Sequence, residues 1–276
     1  MDNVHNSCQI KEDVVARCNG VMVYFERKDG WIMIELRNVS KSYARGNVKA
    51  VDDLTLTVGR GEIFGFIGPN GAGKTTTIKM ITGILAPDRG SIRIGGIEMT
   101  AAPVEAKKMI GYVPDSHDVF DRLKGIEYLN FIGDVYGVPE KERRERIEKY
   151  LTMFEIKDAA GELVRSYSHG MKQKLTLTGA LIHKPPLWIL DEPLTGLDPK
   201  SALALKEEMR AHCREGNTVF FSTHILEVAE RLCDRIGIIY KGKLAAVGTM
   251  ESLRTGEKDA TLEQIFFELT ESGEMV

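Results

Sequence analysis

The stretch Gly68-Pro-Asn-Gly-Ala-Gly-Lys74-Thr75 limits this chain more than any other, because it completes the spacing G-x-x-x-x-G-K-[ST]. The apolar run Glu62-Ile-Phe-Gly-Phe-Ile67 precedes it, and Thr76-Thr-Ile-Lys-Met-Ile-Thr-Gly-Ile-Leu85 follows. Strand, glycine-rich loop, helix is the context in which this spacing makes a phosphate site. Gly68, Gly71 and Gly73, with Pro69, Asn70 and Ala72 between them, let successive backbone N–H groups wrap phosphate oxygens. A helix beginning near Lys74 adds its positive end, and Thr76 lies in its first turn. Lys74 can reach the β- and γ-phosphates, and the Thr75 hydroxyl can ligate Mg²⁺. By chance the four fixed positions coincide in roughly one chain in a hundred of this length. The flanking strand and helix make coincidence rarer still. The residues predict a site for a nucleoside triphosphate.

The rest of the composition suits a soluble host for such a site. A chain of 276 residues holds one large domain or two smaller ones and can bury a substantial core. Its net charge of −3 gives no reason to expect nucleic acid as a partner. It has no run of 18 apolar residues to span a bilayer, and its first residues lack a signal-peptide core. Cys8, Cys18, Cys213 and Cys233 form no C-x-x-C pair, so neither a zinc site nor a disulfide framework is indicated. A cytosolic, reduced chain is expected.

From Met33 onward the texture is that of a mixed sheet. Ile34, Leu36 and Val39 alternate with Glu35, Arg37 and Asn38, and Leu54-Thr-Leu-Thr-Val58 alternates again. Ser91-Ile-Arg-Ile94 runs into a Gly95-Gly96 hairpin turn. Between Lys124 and about Leu181 the period changes to helical, with Ile126, Leu129 and Tyr136, then Ile147, Leu151 and Phe154. The charge run Lys141-Glu-Arg-Arg-Glu-Arg146 reads as the wet face of a helix that starts after Pro139. A helical subdomain inserted at about residues 116–181 is the expectation.

Pro185-Pro186 then stops a helix, and Leu187-Trp-Ile-Leu190 runs into Asp191-Glu192. Four apolar residues ending in two acids, about 115 residues after the phosphate loop, form a second nucleotide motif. A strand buried on both faces holds such acids rigidly at its carboxyl end. Asp191 would hold Mg²⁺ through water, and Glu192 would polarise an attacking water. Thr218-Val-Phe-Phe-Ser222 is a further buried strand ending at Thr223-His224. A histidine at that junction is ordinarily a helix cap; beside a triphosphate it can bond the γ-phosphate. Ile236–Tyr240 and Lys243–Val247 close the α/β part as a hairpin.

These residues together resemble the nucleotide-binding subunit of an ABC transporter, from about Met33 to Leu269. Besides the two Walker motifs, Tyr167-Ser-His-Gly-Met-Lys-Gln-Lys174 stands where that family has its signature, commonly LSGGQ. Thr195-Gly-Leu-Asp198-Pro199 is similar to its D-loop and Ser222-Thr-His224 to its H-loop. Tyr43 matches its adenine-stacking aromatic, although a strand-end aromatic in the core reads equally well from the sequence. The resemblance implies an α/β P-loop NTPase (RecA-like) core with an antiparallel β-subdomain and the inserted helical subdomain. It implies two chains sandwiching two ATP molecules, each ATP held by the loop of one chain and capped by Ser168 and Gly170 of the other. Glu192, His224, Lys74 and Asp115 would be the catalytic group, with Thr75, Asp191 and Asp115 at the metal and Asp198 near the nucleotide.

The signature keeps its serine and second glycine, but His169 and Met171 replace a glycine and a glutamine. That form, with the tail Thr261-Leu-Glu-Gln-Ile-Phe-Phe-Glu-Leu269, resembles bacterial subunits that serve separate permeases, many of them exporters. Asp115 stands where the family usually has glutamine; it is shorter and anionic, so it could hold metal more firmly. The resemblance implies a cytoplasmic protein peripheral on the inner membrane face, paired with itself or a homologous subunit and with an integral membrane permease. Phe120, Leu123 and Tyr128 are candidate permease anchors, each reading first as a buried residue. A soluble, non-transport ABC ATPase and a weakly hydrolysing regulatory subunit are the alternatives. The domain expectation is an extension over 1–32, an ATPase domain over 33–250 and a short tail over 251–276. Residues 1–30 are expected to be loosely attached, with Val21–Phe25 at most an edge strand. On this reading translation could start at Met33; the competing view is a genuine extension that docks on the core.

Overall fold

The computed structural model describes residues 14–18, 21–25, 32–43, 48–116, 121–254 and 260–271. In chain order, β1 (Val14–Cys18) and β2 (Val21–Phe25) form a separate antiparallel two-stranded ribbon. Val21–Phe25 pairs with its own neighbour and lies beside Lys243–Gly248, an edge strand of the six-stranded sheet. The rest of residues 1–31 lies outside the described residues.

The alternating segments become an antiparallel sheet. β3 (Ile32–Tyr43), β4 (Val48–Gly59), β6 (Arg89–Ile94) and β7 (Ile97–Glu98) lie in the order β4-β3-β6-β7. One face is solvated; the other buries Ile34, Leu36, Leu54, Leu56, Ile92 and Ile94. The continuous apolar runs go elsewhere. β5 (Ile63–Ile67), β8 (Ile110–Val113), β9 (Leu187–Asp191), β10 (Thr218–Thr223), β11 (Arg235–Tyr240) and β12 (Lys243–Gly248) form a six-stranded sheet ordered β12-β11-β5-β10-β9-β8. Every pair in it is parallel except β11 with β12.

Strand alternation decides which layer each residue joins. Phe64, Phe66, Ile189 and Phe220 face α1 (Lys74–Ile81) and the antiparallel sheet, where they share a core with Ile78 and Ile81. Phe64 and Phe220 stack at 5.6 Å between centroids. Ile63, Trp188, Leu190, Val219 and Phe221 face the opposite side, against Leu205 and Met209 of α6 (Pro199–Arg214). α2 (Pro103–Lys108) leads into β8, and α7 (Leu226–Leu232), α8 (Met250–Leu253) and α9 (Leu262–Glu271) follow the last strands.

The helical segment carries α3 (Gly125–Val135), α4 (Glu140–Met153) and α5 (His169–Leu181) around Tyr128, Leu129, Ile147, Tyr150, Leu151 and Phe154. The charge run on α4 is only partly wet. Arg144 is exposed and pairs with Glu140 one turn back, at 2.7 Å. Arg143 turns inward to the Asn130 and Val138 carbonyls, both at 3.1 Å, and closes the α3–α4 corner over Gly133. Arg146 donates to the Ile182 carbonyl at 2.7 Å, satisfying an acceptor at the end of α5. Tyr128 is buried against Gly179, so on α3 the exposed apolar residues are Phe131 and Val135. Phe120 lies outside the described residues.

Candidate nucleotide-binding and hydrolysis site

Parallel register brings the loop, the paired acids and the histidine to one end of the sheet. β10 pairs Thr223 with Ile67 and Ser222 with Asp191, so the residues after all three strands emerge side by side. A crevice at the carboxyl ends of parallel strands is where open α/β sheets hold ligands.

The loop between β5 and α1 is shaped by close approach. A Cβ on Gly68 would sit 2.3 Å from the Ile239 carbonyl, and one on Gly73 2.4 Å from the Ala50 carbonyl. Gly71 and Gly73 also have φ of 78° and 111°, a region costly for other residues. Gly242 N–H donates to the Ala72 carbonyl at 2.9 Å, so the β11–β12 turn braces the loop from behind. α1 has no side-chain cap, which leaves its first N–H groups for an anion. Lys74 folds back over the loop, 2.7 Å from the Gly68 carbonyl and 3.3 Å from that of Pro69. Asn70 and Thr75 are exposed, Pro69 and Thr76 half-buried. Tyr43 is also exposed, with its hydroxyl 3.5 Å from that of Thr76. Of its two readings, the core one is excluded.

Glu192 stands between two cationic or ionisable partners. Its Oε1 lies 3.6 Å from Lys74 Nζ and its Oε2 2.9 Å from His224 Nδ1. Its φ is +50°, and strain of that kind recurs at working sites. Ser222, a residue with no role in the sequence reading beyond its place in a motif, holds both acids. Its hydroxyl donates to Asp191 Oδ1 at 2.5 Å and accepts from the Glu192 N–H at 3.1 Å.

Asp191 is only 1% exposed, and its Oδ2 has no hydrogen-bond partner. Burial pushes its carboxyl above the usual carboxylate range; the Ser222 and Thr75 hydroxyls oppose this, and the Asp115 and Glu192 charges add to it. An orphaned, buried carboxylate oxygen near the Thr75 hydroxyl fits a hard divalent cation such as Mg²⁺. No group of three or more acidic, histidine or cysteine side chains forms a cage among the described residues. The remaining ligands would come from phosphate and water, as Mg²⁺ prefers.

Ser168 and Gly170 stand at the start of α5. Ser168 caps α5, accepting from the Met171 N–H at 3.3 Å, and it is exposed. Gly170 packs on the Gly196 carbonyl, and His169 lies against Gly196 itself. Gln173 donates to the Pro193 carbonyl at 2.9 Å, and Lys174 pairs with Asp198 at 2.7 Å. Asp198 also accepts from the Ser201 N–H and hydroxyl, and together Lys174 and Ser201 hold its carboxyl well below the usual range. Its charge is thus committed to joining α5 to α6. Among the described residues no hydrogen bond links Ser168 or Gly170 to residues 68–76 of the same chain.

The profile of the family described as "ABC transporter" matches residues 51–195, more than half of the chain. The chain belongs to the ABC transporter family. It is similar to the linearmycin resistance ATP-binding protein LnrL of Bacillus subtilis (strain 168), 37% identical over 221 residues that cover 80% of this chain and 70% of that protein. It is also similar to the Nod factor export ATP-binding protein I of Paraburkholderia xenovorans (strain LB400), 37% identical over 84% of this chain and 76% of that one. A solved ATP-binding subunit of an ABC transporter superposes with a TM-score of 0.82 at 36% identity, covering 86% of this chain and 99% of its own. A dimeric, post-hydrolysis ATP-binding cassette bound to ADP and Pi gives 0.72 at 26% identity, over 79% and 99%. This chain is accordingly an ATP-binding ABC cassette and an ATP hydrolase, of a family whose cassettes form dimers. No helix among the described residues is long and apolar enough to cross a membrane.

Proposed function

We propose that this cassette hydrolyses ATP at a site shared between two chains and drives export through a separate membrane permease, working at the inner membrane face from the cytoplasm. The observation that carries the hydrolytic part is the contact of Glu192 with both Lys74 and His224 at the mouth of the phosphate loop. The loop N–H groups and Lys74 bind the β- and γ-phosphates, and Tyr43 stacks on the adenine; stacking of that kind is worth about 1–3 kcal/mol and discriminates little between bases. Thr75, Asp191 and Asp115 hold Mg²⁺, which supplies charge neutralisation across the phosphates when bound.

Arriving phosphates compete for Lys74 and draw it off the Gly68 and Pro69 carbonyls. Glu192 then orients a water in line with the γ-phosphorus and accepts its proton as the new P–O bond forms and the β,γ-bridging bond breaks. His224 keeps Glu192 in place and bonds the γ-phosphate. Ser168 and the Gly170 N–H cap that phosphate from the second chain, and Asp198 acts by holding α5 against α6. The named roles of the relatives, linearmycin resistance and Nod factor export, support the export direction. Phe131 and Val135, exposed on α3, are the surface we assign to the permease.

Lys74→Ala tests the phosphate reading. Titrated with a fluorescent ATP analogue, it is expected to lose about 2 kcal/mol or more of nucleotide affinity, the scale of a charge-assisted contact. Unchanged affinity contradicts the assignment.

A further inference from the structure

We infer that Gln173 is a positioning residue for hydrolysis: from α5 its amide holds the peptide that follows Glu192 and so fixes where that carboxylate points. This rests on the reading of Glu192 as the base, and it names what keeps the base in place.

Glu192 leaves the sheet at a sharp turn. Its φ of +50° lies in the left-handed region, where a residue with a side chain stays only if its surroundings over-determine it. The Ser222 hydroxyl accepts from the Glu192 N–H at 3.1 Å, and the Thr195 N–H donates to the Glu192 carbonyl at 3.2 Å. Gln173 Nε2 donates to the next carbonyl, that of Pro193, at 2.9 Å. Ser222 belongs to the neighbouring strand and Thr195 to the turn itself, whereas Gln173 reaches the turn from the helical segment. The ring of Pro193 locks its φ. With its carbonyl held as well, little rotation is left to the bonds that aim the Glu192 side chain.

Gln173 is an odd filling for the space it occupies. It is 0% exposed, and its Oε1 has no hydrogen-bond partner. A buried acceptor left unpaired costs stability, and an apolar side chain of the same length would avoid that oxygen. An apolar side chain could not supply the N–H at Pro193. The bond is not needed to dock the helix. Lys174 pairs with Asp198 at 2.7 Å, and Gly170 packs so closely on the Gly196 carbonyl that a Cβ would stand 2.7 Å from it. Buried Leu175 and Leu177 fix α5 to the core besides. The Gln173 bond therefore acts on the one carbonyl beside the base. A misplacement of about 1 Å costs up to about 10²-fold in rate, so a loosened turn here is felt in turnover.

Gln173→Met tests this. The variant keeps the length of the side chain and removes the donor and the orphaned oxygen together, so one unpaired buried acceptor, at Pro193, replaces another. Thermal unfolding and affinity for the fluorescent ATP analogue are expected to match wild type, while kcat falls about tenfold. In the Glu192→Gln background the same substitution is expected to take nothing further from the residual single-turnover rate, because no base is left to position. Wild-type kcat in Gln173→Met overturns the inference. So does an equal loss in the Glu192→Gln background, or a fall in kcat that comes only with lowered melting temperature and nucleotide affinity. If the methionine chain does not fold, Gln173→Glu decides: its carboxyl donates to the Pro193 carbonyl when protonated and cannot when ionised. Its turnover should fall relative to wild type as pH rises and the carboxyl ionises; a profile parallel to wild type overturns the inference. A Glu192→Gln chain with wild-type turnover contradicts the base assignment and this inference with it. Wild-type turnover by Gln173→Met beside a slow Glu192→Gln contradicts this inference alone.

Discussion

Glu192→Gln is expected to bind ATP as the wild-type chain does and to turn it over at least about 10²–10⁴-fold more slowly, the contribution of a positioned base. The amide keeps the length of the side chain and can still meet His224, so the loop, Lys74 and the metal ligands stay as they are. What it cannot do is accept a proton. It also removes the negative charge that faces Lys74 at 3.6 Å, which leaves the ammonium's charge to the phosphates. Because binding survives and turnover does not, the ATP-bound pair of chains should accumulate. Phosphate release measured beside nucleotide titration checks both halves. A variant that hydrolyses at the wild-type rate assigns the base elsewhere.

The second large effect concerns stability in acid, and it centres on His183. The ring stacks on Tyr136 at 3.7 Å, and Nε2 donates to the Ile110 carbonyl at 3.2 Å. Its Nδ1 is buried with no partner. Burial, with a smaller contribution from the Arg146 charge, lowers its pKa to about 4, while the Ile110 contact partly opposes the shift. The unfolded chain therefore takes up this proton more readily than the folded one. The stability that His183 contributes is complete above about pH 6.5 and is lost as pH falls through 4. The full shift corresponds to about 3 kcal/mol, developed only below pH 4. The protein joins helical segment to sheet at this point, since Tyr136 follows α3 and Ile110 opens β8. His183→Gln, which cannot titrate, should show a shallower loss of stability between pH 6.5 and 4 in urea unfolding. Parallel curves for variant and wild type would contradict the assignment.

The phosphate loop, the paired acids and the histidine were legible because their chemistry fixes residue types at short spacing, and because their strands run apolar throughout. The alternation at Ile34, Leu36 and Val39 likewise foretold a sheet with one wet face. What escaped the sequence was decided at long range or by side-chain direction. Ile110–Val113 is four residues with a glycine inside, too short for a period to show, yet it pairs in parallel with β9. Arg143 and Arg146 sit in a run that reads as solvated, but the Asn130 and Val138 carbonyls draw Arg143 inward and the Ile182 carbonyl at the end of α5 draws Arg146. Ser222 reads as the last residue of a buried strand; only the pairing with Asp191 reveals that it holds both acids. Tyr128 faces the core because Gly179 on α5 leaves room for its ring, which no local pattern encodes. The link from Lys174 to Asp198 joins two motifs that the sequence presents as separate.

The central claim is that each ATP is held by the loop of one chain and capped by Ser168 and Gly170 of another, and a single comparison tests it most directly. Glu192→Gln protein is sedimented with ATP, alone and with Ser168→Arg added, while nucleotide affinity is measured on the same samples. Since Ser168 is exposed and forms no hydrogen bond with the loop of its own chain among the described residues, the added arginine should leave ATP binding by the single chain in place. The prediction is an ATP-dependent dimer with Glu192→Gln and a monomer that still binds ATP when Ser168→Arg is added. A dimer that persists with Ser168→Arg would contradict the shared site, as would a single chain that loses ATP on that substitution.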